Sequence, residues 1–500
     1  MGSAEPLLLR ARVVLPVSRP PIEDGAVAVS GGQILAVGAW RQLRRDFSVP
    51  VRDLGEVVML PGLINAHCHL DYTHMAGLFP PQRSFCDWIK LITTEKAQWI
   101  FSDYANSWIA GARMLVQSGT TTVADMEAVP ELLPDVWNAT PLRVFSFLEM
   151  TGVRSRREPE VILAEAVTTM DAQPPHRGDT GLSPHAPYST SPSLLEQTAA
   201  LARKRKLRLV THVAESATEF EMFTQARGEM FEWLHRNRRD MSDCDGRSPV
   251  QQLARCRALG PHLLAVHVNY LAPGDATLLA RKRKLRLVTH VAESATEFEM
   301  FTQGRGEMFE WLHRNRRDMS DCDGRSPVQH LARCQALGPH LLAVHMNYLA
   351  PGDAALLARK RVSVVHCPSS HDYFRHRDFP RRELARAGVN VCLGTDSLAS
   401  VRKHPKREIK LSLFREMRMF ATKHSEVSAR EVLQMTTLNA AHALGLGGKA
   451  GQLRPGAFAD LIALPLNEKL PDIYEAIIQY PGDIAVSMIG GEWAKTPGDN

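Results

Sequence analysis

His67 and His69, two residues apart in PGLINAHCHL, are the first residues of this chain whose types and spacing suit chemistry. On a strand, residues i and i+2 point to one face, so both imidazoles can meet one metal ion. The expected zinc–nitrogen distance is about 2.0–2.1 Å. The pair alone is weak, since two unrelated histidines at a strand end look the same; the Pro-Gly-Leu-Ile-Asn-Ala lead-in strengthens it. THVAES supplies His212 as a third imidazole and Glu215 as a carboxylate three residues on, placed to act as general acid and base. The plainer reading of Glu215 is a helix-start carboxylate favoured by the dipole. AVHVNYL puts His267 at a strand end, either to polarise the attacked carbon or orient the water, or as a core histidine bonded to backbone. Asp396 of LGTDSLAS is either a metal ligand that takes a proton from water or a helix N-cap. His185 in SPHAPYST and His371 in HCPSSHDYF are the candidates for substrate contact, while Cys367 and Trp88 read as packing residues.

The elements that must position these residues alternate. TTTVADM, RVFSFLEM, TGLSPHAP, RLVTHVAES, LLAVHVNYL, VSVVHCPSS and VNVCLGTDS read as strands. SWIAGARMLVQSG, SLLEQTAALARKRK and SAREVLQMTTLNAAHALG read as helices between them, the last as one helix closed by glycine. Alternating strands and helices predict an α/β fold with a parallel sheet. In a (β/α)8 TIM barrel the strand ends, where the polar residues cluster, form the catalytic face. The first 60 residues and the last 50 or so carry short β-like runs that would make one β unit from both termini.

A tandem duplication interrupts this pattern. Residues 202–279 and 280–357 match at 73 of 78 positions, differing at Ala226/Gly304, Gln252/His330, Arg257/Gln335, Val268/Met346 and Thr277/Ala355. Solenoid repeats are shorter and more diverged, so this is one duplicated block. LARKR recurs at Leu201, Leu279 and Leu357, marking the breakpoints; removing one block leaves 500 − 78 = 422 residues. The second copy offers His290, Glu293 and His345 as alternatives to His212, Glu215 and His267. Ten βα units do not fit an eight-stranded barrel without changing its shear and radius. One copy is therefore expected to be excluded, and the first, which emerges first in synthesis, is expected to close the barrel.

Taken together, PGLINAHCHL, PHAPYS, HVAES, AVH, HCPSS, LGTDS and the GQLRPGAFADLIAL tail resemble the amidohydrolase superfamily over essentially the whole chain. The nearest branch is that of atrazine chlorohydrolase, guanine deaminase and methylthioadenosine/S-adenosylhomocysteine deaminase. The resemblance implies a composite β-sandwich (1–60 plus 448–500) flanking a metal-dependent (β/α)8 barrel (61–447). It implies His67, His69, His212 and Asp396 as ligands of one metal, with His290 as the duplicate alternative to His212. Glu215, His267 and Asp396 would be catalytic, with Glu293 and His345 as duplicates of the first two, and His185 would contact substrate. TGLSPHAPYST holds no Lys, which favours one metal over a carbamylated-lysine pair. Zinc suits three His and a carboxylate, with iron as the alternative. The implied reaction is hydrolytic deamination of an aminated heterocycle or nucleoside-like substrate. Hydrolysis of another C–N or C–Cl bond is the alternative, as is an amidohydrolase scaffold inactivated by its duplication. Relatives often carry Asn where His371 stands, which leaves the substrate open.

Composition excludes several classes. At 44% hydrophobic and 23% charged the chain is ordinary globular material, not a disordered or fibrous one. No stretch of 18 apolar residues suggests a membrane span, and no secretory signal is evident. Eight cysteines without a C-x-x-C predict reduced thiols in the cytoplasm. The net charge of +6 is half supplied by one duplicated block, with 12 basic and 9 acidic residues, so nucleic acid is not an expected partner. No P-loop, H-E-x-x-H or G-x-S-x-G occurs. The expected partner is a small heterocyclic substrate; a homodimer accords with the family, although no interface signal stands out.

Overall fold

The computed structural model describes residues 6–497 except 83–84, 126–131, 151–157, 173–177, 185, 206, 208, 214–216, 260–262, 268–271, 273, 276–277, 279–285, 315–318, 320–321, 334–336, 340, 404–408 and 467–472. The chain starts with five short strands: β1 (Leu7–Val14), β2 (Ile22–Ser30), β3 (Gln33–Ala39), β4 (Val51–Asp53) and β5 (Val57–Pro61). Near its other end lie β16 (Leu461–Pro465), β17 (Val486–Ile489) and β18 (Glu492–Lys495). These eight make one sheet in the order β18-β17-β16-β5-β1-β2-β3, with β4 on β1. The two ends of the chain thus contribute strands to one sheet.

Between them run ten strands: β6 (Leu63–Cys68), β7 (Thr120–Asp125), β8 (Arg143–Met150), β9 (Gly178–Pro184), β10 (Leu209–Val213), β11 (Leu263–His267), β12 (Arg286–Val291), β13 (Leu341–His345), β14 (Ser363–His366) and β15 (Asn390–Leu393). They form one parallel sheet in sequential order from β6 to β15. Helices such as Pro192–Arg205 and Leu413–Lys423 lie between or after them. β6, β13 and β14 are buried along their whole length, which is why they read as apolar runs rather than alternating ones. One contiguous apolar cluster joins Leu182, Leu209, Leu263, Val291, Leu341, Val364 and Leu393, one from each strand from β9 to β15, to Leu413 and Phe414 of the helix Leu413–Lys423.

The expected exclusion of one copy is not what the structure shows. Both copies enter the sheet, each as a pair of strands with the same register. Leu209 faces Leu263 and Val213 faces His267 in the first; Leu287 faces Leu341 and Val291 faces His345 in the second. Sequence identity explains this, since each copy carries its own complete βα pattern and its own strand partner. The pairing is shorter at both borders of the first copy, with one position, Leu209 with Leu182, between β10 and β9. At the other border β11 and β12 share two paired positions, Leu264 with Arg286 and Ala265 with Leu287, against five within each copy.

The end of β6 meets the loop that follows β15. Cys68 bridges Asp396, and the amides of Thr395 and Asp396 both donate to the His67 carbonyl at 3.1 Å. Asn65 ties the same joint, giving Nδ2 to Thr395 Oγ1 at 2.8 Å and accepting the Thr395 amide on Oδ1 at 3.1 Å. Gly394 must be glycine, because a Cβ there would stand 2.8 Å from the His67 carbonyl oxygen and 3.0 Å from its amide nitrogen.

The segment read as one helix over SAREVLQMTTLNAAHALG is two, Ala429–Met435 and Leu438–Ala443. Thr436 and Thr437 both turn their hydroxyls back onto the Leu433 carbonyl, competing with the helix ladder. The Thr436 carbonyl accepts the amide of Ile64 at 2.8 Å, so the break braces β6.

Candidate metal centre

β6 carries His67 fully buried at its C-terminal end, and His69 follows it at the start of a short 3-10 helix, Leu70–Met75. The turn after His69 is held from β7: Asp125 accepts the Leu70 amide at 3.1 Å and the Trp108 indole at 2.7 Å. His69 also stacks on Tyr72, with ring planes 1° apart and centroids 5.5 Å apart.

His290 enters from the end of β12. Its Nε2 lies 3.3 Å from His67 Nε2, and the donor atoms of His67, His69 and His290 all fall within 4.8 Å of one another. Asp396, just past β15, places Oδ1 3.7 Å from Nε2 of both His67 and His69. His345, at the end of β13, brings its ring to 5.2 Å from His290 and 6.0 Å from His67. Glu293 follows β12 with Oε1 3.5 Å from His345 Nε2. Six side chains from four strand ends therefore converge. The backbone is strained at the same places: φ is +49° at Ala292, +73° at His345, +51° at Met346 and +55° at Asp396. Left-handed conformations of this kind cost energy and persist where surrounding bonds over-determine them. Here the Met346 and Asn347 amides donate to Val291 and Ala292 carbonyls at 3.1 Å, and Asn347 Nδ2 donates to the Glu293 carbonyl at 2.9 Å.

Burial sets the protonation of this cluster. It drives His290 well below the ordinary imidazole range, helped by the neighbouring His67 and His345. His345 falls to about 3 through burial, against the pull of Asp396. Burial acts to raise Asp396, but the hydrogen bond with His67 and the nearby His345, His67 and His69 win, holding it well below the usual carboxylate range. Glu293 goes the other way: burial first, then the charges of Asp396 and Glu297, raise it well above the carboxylate range. Neutral imidazoles beside an ionised carboxylate are the forms that bind a metal. His290 is exposed by its accessible area, yet the atoms packed around its ring still lower it through burial.

The donors fit a metal ion. A tetrahedral ion with metal–nitrogen bonds of about 2.0–2.1 Å separates its ligands by about 3.3–3.4 Å. The 3.3 Å between His67 and His290 and the 3.7 Å to Asp396 approach that spacing. His67 Nδ1 and His345 Nε2 are buried with no hydrogen-bond partner among the described residues.

The histidine and glutamate that meet His67 and His69 come from the second copy, whereas the sequence favoured the first. His212 and His267 lie on β10 and β11, with side chains outside the described residues; Glu215 and His185 are outside them altogether. His371 is buried on the helix Pro368–Tyr373 and is not one of the residues that converge on His67. Its ring is 5.1 Å from His366 and 5.4 Å from His376, and burial lowers it to about 4. Cys367 is buried just before that helix, and Trp88 packs edge-on against Phe374, as expected of packing residues. Sequence reasoning missed Asn65, Asp125, Asn347 and Glu297. Asn65 was open to detection, because it stands two residues before His67 on the same strand. Glu297, which accepts the amides of Ala292 at 2.9 Å and Glu293 at 2.8 Å, looked like any first-turn glutamate.

The amidohydrolase family model matches residues 58–279 and again 257–494, and the chain belongs to that family. Among its relatives is the 5-methylthioadenosine/S-adenosylhomocysteine deaminase of Syntrophobacter fumaroxidans, 26% identical over 486 residues, covering 91% of this chain and 83% of that protein. The 5'-deoxyadenosine deaminase of Methanosarcina mazei is 24% identical over 458 residues, covering 89% and 81%. In fold the chain is similar to a zinc-bound adenosine deaminase from Xanthomonas campestris, with TM-score 0.55, 23% identity and coverage of 97% and 92%. Among the described residues no helix is long and apolar enough to cross a membrane.

Proposed function

We propose that this chain is a metal-dependent aminohydrolase that releases ammonia from an aminated, nucleoside-like heterocycle. The observation that carries this reading is the convergence of three imidazoles and one carboxylate, with two of the nitrogens 3.3 Å apart. The deaminases among its relatives support the choice of reaction.

In this reading the ten strands close into a barrel, and the terminal sheet, from residues 1–60 plus 448–500, braces it. His67, His69, His290 and Asp396 hold the metal; zinc suits that donor set, with iron the alternative. When bound, the ion supplies Lewis acidity that makes water a nucleophile near neutral pH. Asp396 accepts the proton that water gives up, and His345 orients the incoming oxygen. Glu293, 3.5 Å from His345, delivers its proton to the ring nitrogen, the proton held by Asp396 passes to the leaving amine, and the second proton of the water restores Glu293. A C–O bond forms, the C–N bond breaks and ammonia leaves. The first copy, with His212, Glu215 and His267, fills the sheet without completing the site. His371 and His185 contact the substrate. The enzyme works in the cytoplasm on small molecules.

The test is ammonia release by the metal-loaded full chain from adenosine, 5'-deoxyadenosine, 5'-methylthioadenosine and S-adenosylhomocysteine, with chlorotriazines alongside. Ammonia from at least one nucleoside, lost on Glu293→Gln, supports the reading. Chloride release with no ammonia from any nucleoside contradicts it.

A further inference from the structure

The helix Ala295–Gln303, which follows β12, is capped by Ser294, whose hydroxyl accepts the Glu297 amide at 3.1 Å. A carboxylate or amide side chain at this third helical position ordinarily reaches back to the amide of the capping residue and closes a capping box. Gln251 does so with Ser248, and Glu431 with Ser428. Glu297 reaches further back. Its Oε1 accepts the Ala292 amide at 2.9 Å and its Oε2 the Glu293 amide at 2.8 Å, two residues and one residue before the cap. Each of the two loop amides thus has its own carboxylate oxygen.

The carbonyls of the same two residues are held from the loop after β13. The Asn347 amide donates to the Ala292 carbonyl at 3.1 Å, and Asn347 Nδ2 donates to the Glu293 carbonyl at 2.9 Å. Ala292 and Glu293 are therefore bonded at both amides and both carbonyls. Between these bonds Ala292 sits at φ +49°, a left-handed conformation that a residue with a Cβ adopts at a cost. Helix capping alone does not call for this arrangement. What it fixes is the direction in which Glu293 leaves the backbone, with Oε1 3.5 Å from His345 Nε2. We propose that Glu297 is a positioning residue for the proton donor: with Asn347 it clamps the backbone of Glu293 so that this carboxyl stays beside His345. The proposal rests on the aminohydrolase reading for the role of Glu293. Glutamine at position 297 would break the clamp, because it has one acceptor oxygen and would set an NH2 donor against one of the two amides. Glu219, the buried counterpart of Glu297 in the first copy, has no such part in the reaction.

The experiment compares the full chain with Glu297→Gln and Glu219→Gln. Glu297→Gln keeps about one metal per chain and holds KM within about twofold, while kcat per bound metal falls about 10²-fold, the size of a misplacement near 1 Å. Glu219→Gln leaves kcat per bound metal unchanged. A second readout is independent of ammonia release: hydrogen exchange of the peptide 288–304, told from its twin 210–226 by Gly304 in place of Ala226. In Glu297→Gln the Ala292 and Glu293 amides exchange faster by about tenfold or more. If the parent releases no ammonia from any nucleoside, that faster exchange still supports the clamp, and the aminohydrolase reading alone fails. Three results overturn the proposal: exchange unchanged at both amides, kcat per bound metal within about threefold of the parent, or an equal loss in Glu219→Gln.

Discussion

Asp460→Ala tests how the terminal sheet is fastened to the strands that carry the metal ligands. Asp460 precedes β16 and reaches Arg143 at the start of β8. The guanidinium donates Nε and Nη2 to its two oxygens at 2.9 and 3.0 Å, and both side chains are 4% exposed. The Gly490 amide donates to the same carboxylate at 2.7 Å, and the guanidinium lies over Phe458 at 4.0 Å. Removing the carboxylate strands a charge that cannot be discharged, since arginine stays protonated. Breaking a buried pair from one side costs about 3–5 kcal/mol, and the orphaned Gly490 amide adds about 1 kcal/mol. The first unfolding transition in urea should therefore lose about 4–6 kcal/mol. Replacing both partners, Arg143→Met with Asp460→Leu, removes the buried charge and should cost less, about 1–2 kcal/mol. The loss reaches the site, because the Asp460 carbonyl accepts the amide of Gly62, the residue joining β5 to β6. A loss under about 1 kcal/mol for Asp460→Ala, or a double variant as unstable as the single one, refutes the reasoning.

Three further outcomes follow from the same geometry. Gly394→Ala puts a methyl against the His67 backbone and should cut metal occupancy measured by elemental analysis, while far-ultraviolet circular dichroism stays near that of the parent. Glu416 is buried against Ser369, and burial raises it to about 7, outweighing Arg415 and the Ser369 hydrogen bonds. Its raised value means that stability is fully present below its ordinary 4.5 and is lost as pH rises through about 7, by at most about 3.4 kcal/mol. Glu416→Gln should flatten that fall between about pH 5 and pH 8 in urea midpoints, and parallel curves would contradict it. The helix Ala217–Gln225 ends with Ala226 at φ +49°, where the second copy has Gly304 at +60°. Ala226→Gly should raise stability by about 1 kcal/mol by calorimetry.

The parallel strands and the two-ended β sheet were legible because their signals are local: β-branched runs, turn residues and alternation. His67, His69 and Asp396 were legible because each follows a strand-like run, with Asn65 two residues before His67 and Gly394 two residues before Asp396. What the sequence concealed was relational. Two copies with 73 identical positions of 78 carry the same local signals, so nothing in THVAES distinguishes His212 from His290. Only the sheet order separates them: β12 lies nearer than β10 to the closing strand β15, which carries the loop holding Asp396. The broken helix at Thr436–Thr437 was hidden for a similar reason, since its cause is the demand of Ile64, some 370 residues earlier, for a carbonyl.

The central claim is that the second copy completes a metal centre with His67, His69 and Asp396. Metal per chain, measured on purified full-length protein and on His290→Ala and His212→Ala, tests it most directly. The account predicts about one metal per chain in the parent and in His212→Ala, and nearly none in His290→Ala. Loss in His212→Ala with retention in His290→Ala, or no metal in any of the three, would contradict it.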